Sequence, residues 1–409
     1  MSCRHCNAEE LLPFLDLGRA PPSNSYLHES ELSVEQDTYP LVIDVCPNCW
    51  LVQTRDVAPR EVFFSKDYAY FSSFSKSWLS HAEKYIIEMQ ERFKLGKDSQ
   101  IVEIAANDGY LLQYAKKKNI PCYGVEPTVS TANAAREKGI EIIEDFFGEA
   151  LGVQLSKGSR QADLMVANNV LAHVPNINDF VRGFAALLKP NGVATFEFPH
   201  LLEMLKHNQF DTVYHEHYSY LSLQAVKRIL EVNGLNIFDV ETLPFHGGSL
   251  RVFAQRSDVN YHKVRCSVDN LLESEVDQGL TSYNTYEGFQ IKAYGVANDF
   301  KNYLIKCKSE GLKVVAFGAA AKGNTLMNFA GVNTELISCV ADNNPAKQGM
   351  YMPGNHVPIV SFEELISLKP DRVVIFPWNI KNEIKNLFSS IKGWDGKFIV
   401  AVPRLTIEN

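Results

Sequence analysis

Three side chains that can hold or move a proton stand within four residues near the middle of the chain. Tyr214, Glu216 and His217 belong to the run Tyr-His-Glu-His. The run follows a strand-like segment, residues 192–198, and precedes a helical one, residues 223–232. We therefore expect a loop, which is where catalytic groups commonly lie. An imidazole beside a phenol and a carboxyl group suits general acid–base chemistry. The run predicts His217 as a general base with Tyr214 and Glu216 as its helpers.

Four of the eight cysteines form two Cys-x-x-Cys pairs, Cys3 with Cys6 and Cys46 with Cys49. Four thiolates make a closed tetrahedral site, which suits structural zinc and leaves no position open for chemistry. A redox pair and unrelated thiols are the alternatives. A segment this short has little core of its own, so the metal would contribute much of its folding free energy. We predict a small zinc-binding domain over residues 1–78.

Strand and helix patterns alternate over residues 79–260. This alternation predicts a doubly wound, Rossmann-like parallel sheet with a ligand site beyond the carboxyl ends of its strands. At those ends, Glu126 can bind both hydroxyl groups of a ribose, Asp145 can accept from an adenine amino group, and Phe146 can cover the ring. This series resembles the arrangement in S-adenosylmethionine-dependent methyltransferases. The predicted cofactor residues are Glu103, Ala105, Asn107, Gly109, Glu126, Asp145, Phe146, Asn168 and Asn169.

The run from Glu103 to Gly109 resembles the first motif of those enzymes, although Ala105 and Asn107 stand where glycines are usual. Glu126 could instead be an acid at a helix start. No Gly-x-Gly-x-x-Gly follows the first strand, which disfavours a dinucleotide fold. His173 follows the fourth strand, in the segment that faces the reacting methyl group in this fold. It could orient a substrate oxygen or be structural.

Residues 261–409 are predicted to form a second, Rossmann-like α/β domain. Gly318, Ala320 and Gly323 have the spacing of a dinucleotide fingerprint, and Lys322 stands where a helix N-terminus would suit phosphate. A packing domain with tight turns is the alternative. The residues predicted to bind substrate are Tyr70, His246, Arg251, Lys322, Asn324 and Asp342. Of these, Arg251 could instead pair with an acid on the sheet.

The composition limits the possible partners. The chain has 409 residues, of which 45% are hydrophobic and 22% charged, as in ordinary globular proteins. A formal net charge of -8 disfavours nucleic-acid binding, which needs a basic face. No apolar run approaches the roughly 20 residues that span a bilayer, and no signal segment opens the chain. We expect a cytoplasmic protein, a monomer or weak homodimer, that binds neither nucleic acid nor membrane.

Taken together, these motifs resemble those of the C-methyltransferases that act on nucleoside-diphosphate keto-sugars in deoxysugar biosynthesis. The resemblance spans essentially the whole chain. It implies a zinc-binding domain, a methyltransferase domain and a C-terminal domain, with the sugar nucleotide between the last two. It rests on the order and spacing of five motifs: the cysteine pairs, the run from Glu103 to Gly109, Tyr214-x-Glu216-His217, His246-Gly-Gly-Ser249 and Gly318-Ala-Ala-Ala-Lys-Gly323.

The resemblance also implies roles for individual residues. The proposed base of the family falls on His217 and its upstream histidine on His173. Its active-site tyrosine and glutamate fall on Tyr214 and Glu216, and its upstream tyrosine falls on Tyr68 or Tyr70. The implied cofactors are S-adenosylmethionine and structural zinc. The implied substrate is a nucleoside-diphosphate sugar, dTDP foremost, that is methylated next to its ketone, at C-3 of a 4-keto-deoxysugar.

The implied mechanism is enolate formation. His217 would remove the proton next to the ketone, and the resulting carbon would attack the methyl group of S-adenosylmethionine. Tyr214, His173 and Tyr68 are the candidate donors to the developing oxyanion. Three other functions remain open: a nicotinamide-dependent nucleotide-sugar oxidoreductase, a metal-dependent hydrolase using His215, Glu216 and His217, and a non-enzymatic protein that binds two nucleotides.

Overall fold

The computed structural model describes residues 2–57, 60–63, 71–389 and 394–409, and its strands form three sheets. The strands are β1 (Leu12–Ala20), β2 (Tyr39–Val45), β3 (Val52–Thr54), β4 (Ile101–Ile104), β5 (Cys122–Val125), β6 (Glu141–Ile143), β7 (Ala162–Asn168), β8 (Leu188–Pro199), β9 (Ser219–Tyr220), β10 (Leu235–Leu243), β11 (Ser249–Arg256), β12 (Val314–Phe317), β13 (Val340–Ala341), β14 (Ile359–Val360), β15 (Arg372–Ile375), β16 (Lys397–Val400) and β17 (Thr406–Glu408).

Helices connect most of these strands. They are α1 (Arg60–Phe63), α2 (Lys76–Phe93), α3 (Leu112–Lys117), α4 (Val129–Glu137), α5 (Glu149–Lys157), α6 (Ile177–Leu187), α7 (Leu201–Lys206), α8 (Leu223–Val232), α9 (Cys266–Asp277), α10 (Asn284–Glu287), α11 (Phe289–Ser309), α12 (Ala321–Ala330), α13 (Phe362–Ser367) and α14 (Lys381–Ser389). Within the described ranges, no helix has both the length and the apolar character needed to cross a bilayer.

The middle sheet confirms the predicted doubly wound fold. Its order is β10-β11-β8-β7-β4-β5-β6. The strands from β6 to β8 run parallel, and β11 is antiparallel to both of its neighbours. All four residues of β4 are buried, as expected of a strand covered on both faces. The chain leaves β4 towards β5 on one side and later returns to β7 on the other. This reversal of strand order marks the edge where ligands bind.

The C-terminal sheet confirms the second α/β unit. Its order is β14-β13-β12-β15-β16-β17, parallel except for β17. A tight loop joins β12 to α12 and begins with Gly318. Its φ of 91° is a conformation that glycine adopts readily and other residues adopt rarely. A Cβ atom at this position would lie 2.5 Å from the Pro377 ring. The glycine therefore lets the loop pass close to the end of the neighbouring strand.

The N-terminal sheet takes its last strand from a distant part of the chain. Its order is β1-β2-β3-β9 and all pairs are antiparallel. In the pairing of β3 with β9, Val52 lies opposite Tyr220 and Gln53 opposite Ser219. Because β9 directly follows the Tyr-His-Glu-His run, the N-terminal module holds one end of that run by backbone hydrogen bonds.

The N-terminal module also shares apolar cores with both α/β units. Phe14 of β1 lies in one core with Phe289 of α11, and their ring centroids are 5.1 Å apart. Buried cysteines of the module, Cys3 among them, lie in another core with Phe180 of α6. The three parts of the chain therefore pack as one body around the central run.

Candidate active site

The four paired cysteines converge on one point. The Sγ atoms of Cys3 and Cys49 are 3.5 Å apart, as are those of Cys6 and Cys46, and all four lie within 4.8 Å of one another. A tetrahedral zinc site with bonds of about 2.3 Å separates its sulfur atoms by roughly 3.8 Å. The cysteine cluster therefore fits zinc, and four protein ligands would fill its coordination shell.

Each Cys-x-x-Cys pair is folded into the same turn. The Cys3 amide donates to the carbonyl of Ala8, and Asn7 donates back to the carbonyl of Cys3. Cys46 forms the corresponding pair of bonds with Leu51 and Trp50. The residue after each pair, Asn7 or Trp50, has a φ of 61°. This repeated left-handed turn directs both thiols of a pair to one side.

His217 is held in the form that a general base requires. Its Nδ1 atom lies 2.9 Å from the carbonyl oxygen of Thr212. A carbonyl only accepts hydrogen bonds, so Nδ1 carries the proton and the lone pair is on Nε2. Burial lowers the pKa of His217 well below its usual value, and the nearby His173, Lys322 and His246 lower it further. The imidazole is therefore neutral at pH 7.

Two of the residues predicted to act with His217, Tyr214 and His173, lie against its ring. The ring centroids of Tyr214 and His173 lie 3.9 Å and 4.6 Å from that of His217. Burial lowers the pKa of His173 to about 4, so this ring is also neutral at pH 7. Glu216 is 2% exposed and accepts a hydrogen bond of 2.6 Å from Asn24 Nδ2. The predicted upstream tyrosines, Tyr68 and Tyr70, lie outside the described residues.

His215, which lies between Tyr214 and Glu216 in the sequence, packs against the N-terminal module. Its Nε2 atom lies 3.2 Å from the carbonyl oxygen of Tyr39 in β2, and its ring stacks on Phe63 at 5.7 Å. Within the described residues, the cysteine cluster is the single group of three or more His, Cys, Asp or Glu side chains that could hold a metal. A hydrolase metal site built on His215, Glu216 and His217 therefore has no support.

The loop after β4 has the backbone shape that a glycine-rich motif would give. Ala105, Asn107 and Gly109 have φ values of 54°, 47° and 73°. The backbone amides of Asn107 and Thr128 donate to Glu126, each at 2.9 Å. The Glu126 carboxylate therefore ties the ends of β4 and β5 together. Ala105 adopts a left-handed conformation that glycine would reach more easily.

Two buried polar groups at the switch point fit a polar ligand. Glu103 is 1% exposed and Asn168 is 7% exposed. The hydroxyl group of Tyr110 faces both groups, but neither the carboxylate of Glu103 nor the amide of Asn168 has a hydrogen bond of ordinary geometry within the described part of the chain. Burial raises the pKa of Glu103 well above its usual value. Because buried polar groups are normally satisfied, these two fit a cofactor such as S-adenosylmethionine.

The remaining cofactor candidates lie around this point. Asp145 is exposed and accepts from the backbone amide of Phe146 at 2.7 Å, beyond the end of β6. Asn169 has a φ of 56°, and its Nδ2 atom lies 3.1 Å from Nε2 of His246. Burial, and then the charge of Lys322, lower the pKa of His246 to about 4. His246 therefore connects the cofactor side of the cleft with the C-terminal domain.

Lys322 lies in the cleft between the two α/β units. Its Nζ atom is 2.9 Å from Asn379 Oδ1 and 4.1 Å from the centroid of the Trp378 ring. Trp378 Nε1 in turn donates to Asp211 Oδ2 at 2.7 Å. Burial lowers the pKa of Lys322 to about 8 and raises that of Asp211 to about 6. At a pKa of about 8, Lys322 is mostly protonated at pH 7, so the cleft contains a cation.

Arg251 is buried and contacts three acids, of which Glu197 is buried, Glu241 is half-buried and Glu88 is exposed. Its Nη2 atom is 3.2 Å from Glu197 Oε2, and its Nη1 atom is 3.3 Å from Glu241 and 3.4 Å from Glu88. His81 also binds Glu197, at 2.8 Å. The alternative interpretation, that Arg251 pairs with acids on the sheet, is therefore the arrangement found, and its predicted contact with substrate stays a prediction.

The last two substrate candidates belong to networks within the C-terminal domain. The Oδ1 atom of Asn324 accepts from Asn328 and Asn355, each at 3.1 Å. Asp342 accepts from the backbone amide of Asn344 at 2.8 Å. Its Oδ2 atom lies 3.9 Å from Lys347 Nζ. Both residues stand near the loop that precedes α12, and no ligand contact is fixed by these bonds.

Comparison with known proteins decides the family. Residues 3–64 match a zinc-binding domain, residues 78–240 a methyltransferase domain, and residues 244–403 a C-methyltransferase C-terminal domain. The C-methyltransferase NovU of Streptomyces niveus is 32% identical over 98% of this chain and 95% of its own length. The chain belongs to the S-adenosylmethionine-dependent C-methyltransferases. These matches give no support to the nicotinamide-dependent oxidoreductase.

Solved structures similar to this C-methyltransferase include two methyltransferases. Magnesium protoporphyrin IX methyltransferase from Synechocystis PCC 6803 is 15% identical, with a TM-score of 0.35 over 44% of this chain and 83% of its own. An S-adenosylmethionine-dependent methyltransferase from Mesorhizobium loti is also 15% identical, with a TM-score of 0.34 over 44% of this chain and all 100% of its own.

Family membership agrees with the predicted cofactors, S-adenosylmethionine and structural zinc. The residues that would hold zinc are the four clustered cysteines, and those at the switch point would hold S-adenosylmethionine. Sequence reasoning missed Asn24, Tyr26, Asp211 and Trp378 of this C-methyltransferase. Asp211 lies three residues before Tyr214 in the same loop, and Trp378 follows the end of β15, where ligands of parallel sheets bind. The sequence positions of Asp211 and Trp378 could therefore have indicated that they lie near the site. Nothing in the sequence around Asn24 and Tyr26 indicates this.

Proposed function

We propose that this C-methyltransferase methylates the carbon next to the ketone of a nucleoside-diphosphate sugar, C-3 of a dTDP-4-keto-deoxysugar. The observation that carries the proposal is the tautomer of His217, which Thr212 holds with its Nε2 lone pair available. A neutral, buried imidazole can accept the weakly acidic C–H proton next to a ketone. Methylation of a hydroxyl oxygen would not require the removal of a proton from carbon.

In the proposed mechanism, Nε2 of His217 removes the α-proton, and the electron pair of that C–H bond delocalises onto the ketone oxygen. Tyr214 and His173 lie against His217, and we assign them as donors to this oxygen. Glu216 would hold a sugar hydroxyl group or the base. When bound, S-adenosylmethionine would supply the electrophilic methyl group: the methyl–sulfur bond would break as the new carbon–carbon bond forms, and S-adenosylhomocysteine would leave with that electron pair. The proton stays on His217 until it passes to solvent after the transfer.

The substrate side of the cleft suits a nucleotide diphosphate. Lys322 stands in the first turn of α12, whose N-terminal amides favour anions. The charge of Lys322 reaches both His217 and His246, so an anion bound beside it would lie close to the base. We place the sugar nucleotide between proposed domains 79–260 and 261–409, with residues 1–78 as the zinc-binding domain. We further propose a cytoplasmic enzyme, monomeric or weakly dimeric, of deoxysugar biosynthesis.

The test is product analysis. The enzyme is incubated with S-adenosylmethionine and a panel of dTDP-, GDP- and CDP-linked keto-sugars, and the new methyl group is located by mass spectrometry and NMR. We expect a new carbon–carbon bond next to the ketone, with dTDP as the preferred carrier. A methyl ether as product, or no transfer to any keto-sugar, would contradict the proposal.

A further inference from the structure

A short segment of the N-terminal module, residues 23–27, reaches the centre of the active site. Asn24 Nδ2 donates to Glu216 Oε1 at 2.6 Å, a bond between residues 192 positions apart. Tyr26 donates from its hydroxyl group to the carbonyl oxygen of Ala319, also at 2.6 Å. Leu27 and Tyr351 exchange two backbone hydrogen bonds. One short segment, which begins in a turn at Ser23 and Asn24, therefore contacts both walls of the cleft.

The hydrogen bonds along this segment fix the orientation of the Asn24 amide. A carboxylate accepts but does not donate, so Nδ2 faces Glu216 and Oδ1 faces the other way. The Tyr26 hydroxyl group lies 3.4 Å from Oδ1. A neutral amide can hold a carboxyl group without placing a positive charge beside it, whereas an arginine or lysine would add one.

The second half of the segment aligns the substrate side. Ala319 lies in the loop between β12 and α12, three residues before Lys322. Lys347 Nζ also donates to the Ala319 carbonyl oxygen, at 2.8 Å, and lies 5.0 Å from the centroid of the Tyr26 ring. Asn24 and Tyr26, two residues apart on one short segment, thus contact Glu216 and this loop respectively.

We propose that Asn24 is a positioning residue for methyl transfer, which orients the carboxylate of Glu216, the residue before His217 in the chain. The zinc-binding module thereby contributes a side chain to the active site in addition to its metal. This inference rests on the proposed function, in which Glu216 holds a sugar hydroxyl group or the base. The titratable groups that face the junction from neighbouring elements are Tyr26, Lys347, Asp342 and His173.

Two substitutions separate positioning from simple packing. Asn24→Ala removes the donor, and we expect kcat to fall on the order of 10- to 100-fold with KM nearly unchanged. Asn24→Asp places a second carboxyl group against Glu216. Two close carboxylates raise each other's pKa and share a proton at acidic pH, which restores a hydrogen bond. The kcat of Asn24→Asp should therefore recover between pH 8 and pH 5.5, relative to wild type, whereas that of Asn24→Ala should not.

The matched control is Ser25→Ala, since Ser25 is exposed on the same segment. It should keep wild-type kcat, zinc content and melting temperature. The inference is overturned if Asn24→Ala keeps wild-type kcat, or if the two Asn24 variants have the same pH profile. If wild type methylates no keto-sugar, the proposed function fails instead.

If wild type methylates no keto-sugar, the coupling of Asn24 with Glu216 can still be tested by a measurement that needs no substrate. The melting temperatures of Asn24→Ala, Glu216→Ala and the double variant form a thermodynamic cycle. We expect the double variant to lose clearly less stability than the sum of the two single variants, because both single changes break the same hydrogen bond. Additive losses would show that the two residues are not coupled, and would overturn the positioning role.

Discussion

At the scale of single residues, a backbone carbonyl determines what His217 can do. The bond from Nδ1 to Thr212 fixes the tautomer, and burial keeps the ring neutral by lowering its pKa. These two effects work together, because a base must have its lone pair both available and directed at the substrate. The same burial makes the imidazolium costly after proton abstraction, so the proton should leave His217 soon after the transfer.

Replacing the proposed base should greatly reduce turnover and leave cofactor binding intact. His217→Asn cannot accept a proton near neutral pH, and we expect kcat to fall roughly 10²- to 10⁴-fold. Affinity for S-adenosylmethionine, measured by calorimetry, should stay within about twofold of wild type because the switch point at β4 and β7 is untouched. Equal losses of cofactor affinity and turnover would instead indicate a structural role.

Asp211 should lower stability at neutral pH. Its pKa rises from 3.8 to about 6 on folding because of burial. Below pH 3.8 the Asp211 carboxyl group is protonated in both the folded and the unfolded protein. Between pH 3.8 and about pH 6 it ionises only in the unfolded chain, so the free energy of unfolding decreases as the pH rises. Above pH 6 the penalty is complete, at most about 3 kcal/mol.

Asp211→Asn removes this penalty and can still accept from Trp378. We expect the variant to melt at a higher temperature than wild type at pH 8, with the difference disappearing towards pH 4. A variant that is less stable than wild type at pH 8 would show that the ionised carboxylate is stabilised, for instance by Lys322. Calorimetric melting of both proteins at the two pH values decides between these outcomes.

At the scale of elements, the regular segments were predictable because local signals define their ends. The sequence pattern predicts a helix over residues 76–93, which is α2, and its first turn is capped by Ser75. The helix predicted over residues 223–232 is α8, capped by Ser222. The pattern also predicts a strand over residues 336–341, but β13 is limited to Val340–Ala341.

Contacts between distant segments were not predictable from local signals. The pairing of β3 with β9 joins segments that no periodicity relates. The bonds from Asn24 to Glu216 and from Trp378 to Asp211 join residues 192 and 167 positions apart. The predicted catalytic residues Tyr214, Glu216 and His217 are close in sequence, so they could be identified from one short run. Its supporting residues come from other domains, and only the fold brings them near.

The loop after β12 offers a test at this scale. Gly318→Ala adds a Cβ atom 2.5 Å from Pro377 at a φ of 91°, so the loop must shift. We expect affinity for the nucleotide sugar to fall about tenfold or more, while S-adenosylmethionine binding is unchanged. The control is Gly311→Ala, where φ is 73° and no atom lies within 4 Å of the added Cβ atom.

That control should lose only the roughly 1 kcal/mol expected of a left-handed alanine and should bind both ligands normally. Isothermal titration of the two variants with a dTDP-sugar compares them directly. If both variants lost nucleotide-sugar affinity equally, the effect would come from backbone strain in the domain rather than from the shape of this loop.

At the scale of the whole molecule, zinc supports the active site through the N-terminal sheet. Thr54 of β3 donates from its hydroxyl group to the backbone carbonyl of His217 at 3.1 Å. Arg4, beside Cys3, donates to the carbonyl of Thr54 and of Pro175. The metal site is therefore two contacts away from the base, although it has no open coordination position of its own.

Removing zinc should thus impair fold and catalysis together. On treatment with a strong chelator, we expect a lower melting temperature and a fall in kcat of about tenfold or more, with both restored by added zinc. Metal analysis of untreated enzyme should find one zinc ion per chain. Loss of catalysis at unchanged melting temperature and substrate affinity would mean that the metal takes part in the reaction.

The position of β9 has a consequence for how such enzymes can be recombined. Because β9 follows the catalytic run in sequence but completes the N-terminal sheet, a cut after residue 78 leaves that sheet without its outermost strand. In a chimera that takes its first 78 residues from one relative and the remainder from another, β9 must pair with the edge of a β3 strand from a different protein. This pairing would lie next to the proposed base. Grafts that carry the segment 210–220 along with the donor module should retain more activity than grafts that do not.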